Sequence, residues 1–267
     1  MKNITKRIIA LALTVILIFA FAAVVSASEP SAPYAFVSVS DKDRNIVLSW
    51  EKIEYYDADS DGKMTINDVL MIAHEKKFEG GADAGYGYAK TEYGLSMTKL
   101  WGTENGGSYG YFLNNESALS LDTEISHGAH IYAYVYTDLT SWSDTYSFFD
   151  VYNVDAEKGD TVKLTLKKAG FDENYNPVTS PVSGAAIIID GKVTEFKTGE
   201  DGTVEIKLSS AGNYVISAKS DTENLVPPVV LANVEAGASV IWYIVVAVIV
   251  LGVISAAVAV SRTKKNA

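Results

Sequence analysis

Between Tyr55 and Lys76 the chain reads YYDADSDGKMTINDVLMIAHEK. Asp57, Asp59 and Asp61 stand at alternate positions, Gly62 follows at once, and Asp68 comes six residues later. Carboxylates this close repel one another unless a cation gathers them. In the twelve-residue frame 57–68 the three aspartates take the first, third and fifth positions. Gly62 falls at the sixth, where the backbone turns sharply, and Lys63 at the seventh offers a carbonyl. Thr65 lies at the ninth and Asp68 closes the frame. A hard divalent cation takes about six to eight oxygens at roughly 2.3–2.6 Å. The spacing therefore predicts a Ca2+ site built from Asp57, Asp59, Asp61, Lys63, Thr65 and Asp68, with a structural role. The competing reading is a solvated Asp-Gly turn whose acids cap the helix that follows.

Other reactive chemistry is sparse. Cysteine is absent, which removes disulfides, thiolate metal sites and thiol nucleophiles together. Histidine occurs at 74, 127 and 130. His127 and His130, three apart in a strand-like run, point to opposite faces, and His74 is expected at a surface or interface. No serine lies in a nucleophile elbow, and GGADAGYGYAKTE has its glycines in the wrong places for a phosphate loop. The chain is accordingly expected not to be an enzyme. Aromatics form the remaining binding signal: Trp101, Tyr109, Tyr111, Tyr132, Tyr134 and Tyr136 cluster in late strands of the first half. Tyr132, Tyr134 and Tyr136 share one face by period-two alternation. They form either a cross-strand ladder that stabilises the sheet or an exposed surface that stacks on a small ligand or partner.

These residues need elements to position them. AFVSVS and NIVLSW alternate as two strands around the turn DKDRN. Ile66, Val69, Leu70 and Ala73 recur at helical spacing, and Lys76 and Lys77 fall where a helix dipole favours cations. LSMTKLWG, SYGYFLNN and HIYAYVYTD read as further strands. Composition then shifts: thirteen of the 16 tyrosines lie between Tyr34 and Tyr152, and the later chain is rich in Val, Thr, Gly and Lys. DTVKLTLKKA, GAAIIIDGKVTEF, GTVEIKLSS, GNYVISAKS and LVPPVVLANV read as a sandwich with a two-residue Asp190-Gly191 hairpin.

The ends bound the compartment. Lys2, Lys6 and Arg7 precede an apolar run to Val25, and Val25-Ser26-Ala27 offers a cleavage site, so 1–27 reads as a signal peptide. An uncleaved anchor is the alternative. Residues 240–260 are uncharged and followed by Arg262, Lys264 and Lys265, which predicts a transmembrane helix and a cytoplasmic tail, 261–267. The expected localisation is thus a single-pass cell-membrane protein, its large N-terminal part extracellular. Between these ends lie all 33 acidic residues and 16 of the 22 basic ones, a net charge of −17. Nucleic acid is excluded as a partner by that balance.

The fold class predicted is α+β: a β-grasp-like domain over 28–145, an all-β Ig-like sandwich over 146–236 and one C-terminal transmembrane helix. DADSDGKMTINDVL resembles one calcium-binding repeat of a dockerin, and an EF-hand more generally. That resemblance implies calcium and protein docking on a bacterial surface. The frame 34–138 is similar to the transcobalamin-like C-terminal β-grasp family, through TINDVLMIAHEK, Trp101-Gly102, Tyr111-Phe112-Leu113-Asn114 and SHGAHIYAYVY. It implies a small ligand, corrinoid-like or glycan, on the aromatic sheet. TGEDGTVEIKLSSAGNYVISA resembles bacterial Ig-like surface modules, which act as spacers.

Overall fold

Alternating β-branched residues start the fold at Tyr34. The computed structural model describes residues 32–237, and its elements belong to a compact unit that begins at Tyr34. Strands β1 (Tyr34–Ser40) and β2 (Ile46–Glu54) form a hairpin. Its turn is organised by the Asp41 carboxylate, which accepts the N–H groups of Asp43 and Asn45 at 2.9 and 2.8 Å. Helices α1 (Ile66–Lys77) and α2 (Gly81–Gly85) follow, then the hairpin β3 (Gly87–Thr91) and β4 (Gly94–Lys99). Strands β5 (Tyr109–Leu113), β6 (Glu116–Ser117) and β7 (His130–Val135) complete the first module. The sheet order is β2-β1-β7-β5-β6, with β1 and β7 parallel and every other pair antiparallel.

The two faces of this sheet have different coverings. Ala35, Val37, Val39, Ile131 and Ala133 bury against Ile66, Val69, Leu70 and Ala73 of α1, the stripe expected of a helix lying on a sheet. Phe36, Trp50, Phe112, Tyr132 and Tyr134 point the other way.

The second module is a sandwich. Strands β8 (Thr145–Phe149), β9 (Asn153–Glu157), β10 (Thr161–Phe171), β11 (Pro177–Pro181), β12 (Ala186–Ile189), β13 (Lys192–Lys197), β14 (Thr203–Lys207), β15 (Gly212–Lys219), β16 (Leu225–Val226) and β17 (Val230–Glu235) divide between two sheets. One runs β11-β10-β8-β16, with β14 also on β10; the other runs β13-β12-β15-β17-β9. Leu164, Leu166, Val204 and Ile206 of the first meet Ile187, Ile216, Ala218 and Ala232 of the second. At the β12–β13 turn Asp190 and Gly191 both have positive φ, 48° and 74°, the left-handed pair that a two-residue hairpin requires.

Two expectations are corrected here. The fold class is not α+β: the described residues are mostly β-sandwich, 49% strand and 8% helix. The reason is that the helical spacing after the acidic loop runs for only 12 residues, while strands make up nearly all other regular structure. The single-pass membrane localisation is also without support among the described residues. Spanning the hydrocarbon takes about 20 apolar residues, and no helix among the described residues is long and apolar enough to cross a membrane. Residues 240–260, which carried that expectation, lie outside the described residues, as do the signal segment 1–27 and the tail 261–267.

Candidate functional site: an acidic loop and an aromatic junction

The loop between β2 and α1 draws three of its acids together. Carboxylate oxygens of Asp57, Asp59 and Asp61 all lie within 4.8 Å of one another. Backbone donors hold the trio in place: the N–H groups of Asp61 and Gly62 reach Asp57 at 3.1 and 3.0 Å, and that of Lys63 reaches Asp61 at 2.8 Å. Gly62 turns the chain with φ 88° and has open space where a Cβ would sit. The constraint on glycine here is thus the backbone angle alone. The Lys63 ammonium points away, 3.8 Å from Glu124.

Asp68 and Thr65 do something else. Thr65 is the N-cap of α1 and Asp68 the third helical residue, and the two form a reciprocal capping box. One Asp68 oxygen accepts from the N–H groups of Ala58 and Asp59 at 2.7 and 3.3 Å; the other accepts from the N–H and hydroxyl of Thr65 at 2.8 and 2.9 Å. Asp68 is fully buried, with both oxygens engaged in tying the start of the loop to the start of the helix. The next two helical N–H groups, of Ile66 and Asn67, are taken by the carbonyls of Thr123 and Leu121. Every strut therefore converges on the turn that presents the three aspartates.

Two residues that the spacing did not single out complete this region. Asn67, also fully buried, donates its amide to Asp59 at 2.8 Å and accepts from the Tyr86 hydroxyl at 3.0 Å. It links the acidic trio to the core. The signal was an amide in the first helical turn, adjacent to the capping pair. His74, expected at a surface or interface, lies fully buried. Its Nδ1 is 2.7 Å from the Leu70 carbonyl and its Nε2 accepts the Trp101 N–H at 3.3 Å. Burial lowers its pKa to about 4.

The six candidate aromatics split between the two faces of the first sheet. Trp101, Tyr109 and Tyr111 pack into the core beneath α1. The Tyr109 hydroxyl lies 2.8 Å from the carbonyls of both Thr98 and Thr103. Tyr132 and Tyr134 lie on the opposite face, 1% and 2% exposed, and Tyr136 is half-buried beside them. That face is covered by the second module. Tyr146 of β8 stacks on Phe112 with centroids 3.7 Å apart and meets Tyr132 edge-on at 5.5 Å. Tyr152 stacks on His130 at 3.6 Å. The segment after β16 closes the seam: the Tyr132 hydroxyl donates to the Pro227 carbonyl at 2.5 Å, and the Trp50 indole donates to that of Val229 at 2.8 Å. Burial pushes the phenols of Tyr132, Tyr134 and Tyr146 upward, so they stay protonated donors.

An ion pair locks the same junction. Asp144, its side chain 1% exposed, pairs with Arg44 of the β1–β2 turn at 3.2 Å. It also accepts from Thr137 and from the Asp138 N–H, and Arg44 reaches Asn224 in the second module.

No family model matches the chain, and no curated protein matches it. Among solved structures it is similar to the N-terminal four Ig domains of Dscam1 isoform 9.44, at 12% identity over 41% of this chain and 23% of that one, with a TM-score of 0.21. For the same region of Dscam1 isoform 6.9 the identity is 10%, the coverage 58% and 42%, and the TM-score 0.22. For murine CEACAM1b they are 11%, 75% and 96%, and 0.16. The chain spans less than half the length of these Dscam structures. At such TM-scores the likenesses carry no argument about what the chain does.

Proposed function

We propose that this chain is a non-enzymatic recognition module whose loop 57–68 is set by a bound Ca2+. The observation that carries the reading is the convergence of Asp57, Asp59 and Asp61 within 4.8 Å, on a loop braced by Asp68. The fit to a calcium loop is good at the turn: three carboxylates, a sharp Gly62 and a free carbonyl at Lys63, with water completing the shell. The resemblance of DADSDGKMTINDVL to a dockerin repeat supports the same ion. Asp68 and Thr65 serve it indirectly, as the cap that fixes the loop. Recognition of a protein is favoured over capture of a corrinoid or glycan by the aromatic sheet, because the six aromatics do not share a face and the Tyr132 face is covered.

Calcium titration of the melting temperature tests this. At about tenfold excess over the dissociation constant, a native-state ligand adds about 1.4 kcal/mol. For a body of this size that raises the midpoint by roughly 3–6 °C. Chelator should reverse the shift, and Asp57→Asn combined with Asp59→Asn should abolish it. A melting temperature indifferent to calcium would reject the reading.

A further inference from the structure

We propose that the cleft between the two modules binds an extended, basic peptide segment alongside the unpaired edge of β2. The inference rests on reading the chain as a recognition module, but not on the acidic loop. Strand β2 ends its sheet and pairs only with β1. Beside it lies an open cleft of about 750 Å³, lined by Ile46 and Ser49 of β2 and by no residue of β1. The cleft therefore lies beyond the edge that β1 leaves free. Its far wall is the outer face of the second module's sheet, with Ile188 of β12 and Val215 and Ser217 of β15. On β15 the alternate residues Ile216 and Ala218 enter the sandwich core, so Val215 and Ser217 face the cleft.

Ser217 marks a place for a ligand. It is 4% exposed, and its Oγ has no hydrogen-bond partner, the single such buried side-chain atom among the described residues. Buried hydroxyls are nearly always paired; a peptide N–H or C=O in the cleft would supply the missing partner once the side chains over this hydroxyl shift aside.

Shape and charge select the occupant. The lining run Val215–Lys219 is a strand segment of about 17 Å, which matches about five extended residues. A strand laid on β2 would pair along Ile46–Ser49, a run that carries one register shift between Ile46 and Leu48 and meets a second opposite Val37 and Val39, in the mode where main-chain bonds give affinity and side pockets give selectivity. No aromatic ring lines the cleft, so a sugar finds no stacking platform there. Arg44 is neutralised by Asp144 and Glu223 by Lys168. That leaves Asp190 and Asp221 against Lys219 on the rim, within a chain of net charge −11. Cationic side chains are drawn to such a rim.

The test is calorimetry on the full-length chain with the blocked peptides Lys-Val-Lys-Val-Lys and Glu-Val-Glu-Val-Glu and with a chitin trisaccharide. The basic peptide should bind saturably, at least tenfold more tightly than the acidic one, with the sugar silent. Asp221→Lys should weaken the basic peptide several-fold. Ser217→Ala should weaken it too without lowering the melting temperature, since the lost hydroxyl bonds nothing in the free chain. No saturable basic-peptide binding, equal binding of both peptides, preference for the sugar, or indifference to both substitutions would each overturn the proposal. A calcium-dependent melting shift without peptide binding would reject the cleft alone.

Discussion

His74 gives the sharpest test of how the first module is built. On α1 it is sealed between Tyr86, which stacks at 5.0 Å, and Trp101, at 5.2 Å. The Leu70 carbonyl at 2.7 Å requires the proton on Nδ1, and the Trp101 N–H at 3.3 Å requires a bare Nε2. A second proton would charge a ring out of reach of water and abolish the Trp101 bond. Burial accordingly lowers the pKa from 6.5 to about 4, while in the unfolded chain it returns to about 6.5. As pH falls below 6.5 the unfolded state takes up a proton that the folded state refuses until near pH 4. Stability is therefore complete above that window and lost within it. About 2.5 pH units at roughly 1.36 kcal/mol each gives a loss of about 3 kcal/mol. Urea unfolding of the native chain and of His74→Gln at pH 7, 5.5 and 4 would measure it. Carboxylates common to both chains cancel in the difference, as does His130, which burial also lowers to about 4. The advantage of the native chain over the variant should shrink by about 3 kcal/mol from pH 7 to pH 4. Parallel losses in the two chains would refute the account of His74.

Two further substitutions separate bracing from ion binding and test the junction. Asp68→Ala removes an acceptor from four donors and should destabilise the chain by about 3 kcal/mol, with or without calcium, in chemical denaturation; Asp59→Asn should leave that baseline nearly intact and lose most of the calcium response. Gly110 lies across from Tyr134, and a Cβ there would fall within the phenol ring. Because Phe112 and Tyr146 hold that ring, Gly110→Ala should cost about 2 kcal/mol, read as a lower melting temperature.

Local signals were readable wherever a residue type answers to a backbone demand. Asp190-Gly191 specifies its hairpin because both positions need positive φ. Ile66, Val69, Leu70 and Ala73 specify α1 because one stripe must face the sheet. The acidic loop was legible at Asp57, Asp59 and Asp61, which meet, and less so at Asp68. The same T-x-x-D spacing that closes a calcium frame also makes a capping box, and composition does not choose between them. The structure shows the capping box, with the carbonyls of Leu121 and Thr123, remote in sequence, holding the helix start and Asp68 facing Ala58 and Thr65. His74 was misplaced for a related reason: the helix is covered on a second side by Tyr86, Phe78 and Trp101, and helical periodicity reports one buried stripe.

Alternation in β7 shows where such reasoning stops and what replaces it. Period two places Tyr132 and Tyr134 on one face and Ile131, Ala133 and Val135 on the other, and the structure keeps that division. An apolar face is normally the covered one and a tyrosine face the wet one, since a buried phenol needs a partner for its hydroxyl. Here the partners come from across the seam between the modules. Pro227 and Asn115 accept from Tyr132 and Tyr146, and Val229 accepts from Trp50. The phenols therefore bury their rings without stranding their hydroxyls. Tyrosine suits a seam between modules because the ring supplies area while its hydroxyl fixes register against a partner carbonyl. Tyr132, Tyr134, Tyr146 and Tyr152, and not the whole aromatic run, are thus the signature of the junction, beside the cleft in which Ser217 stands unpartnered.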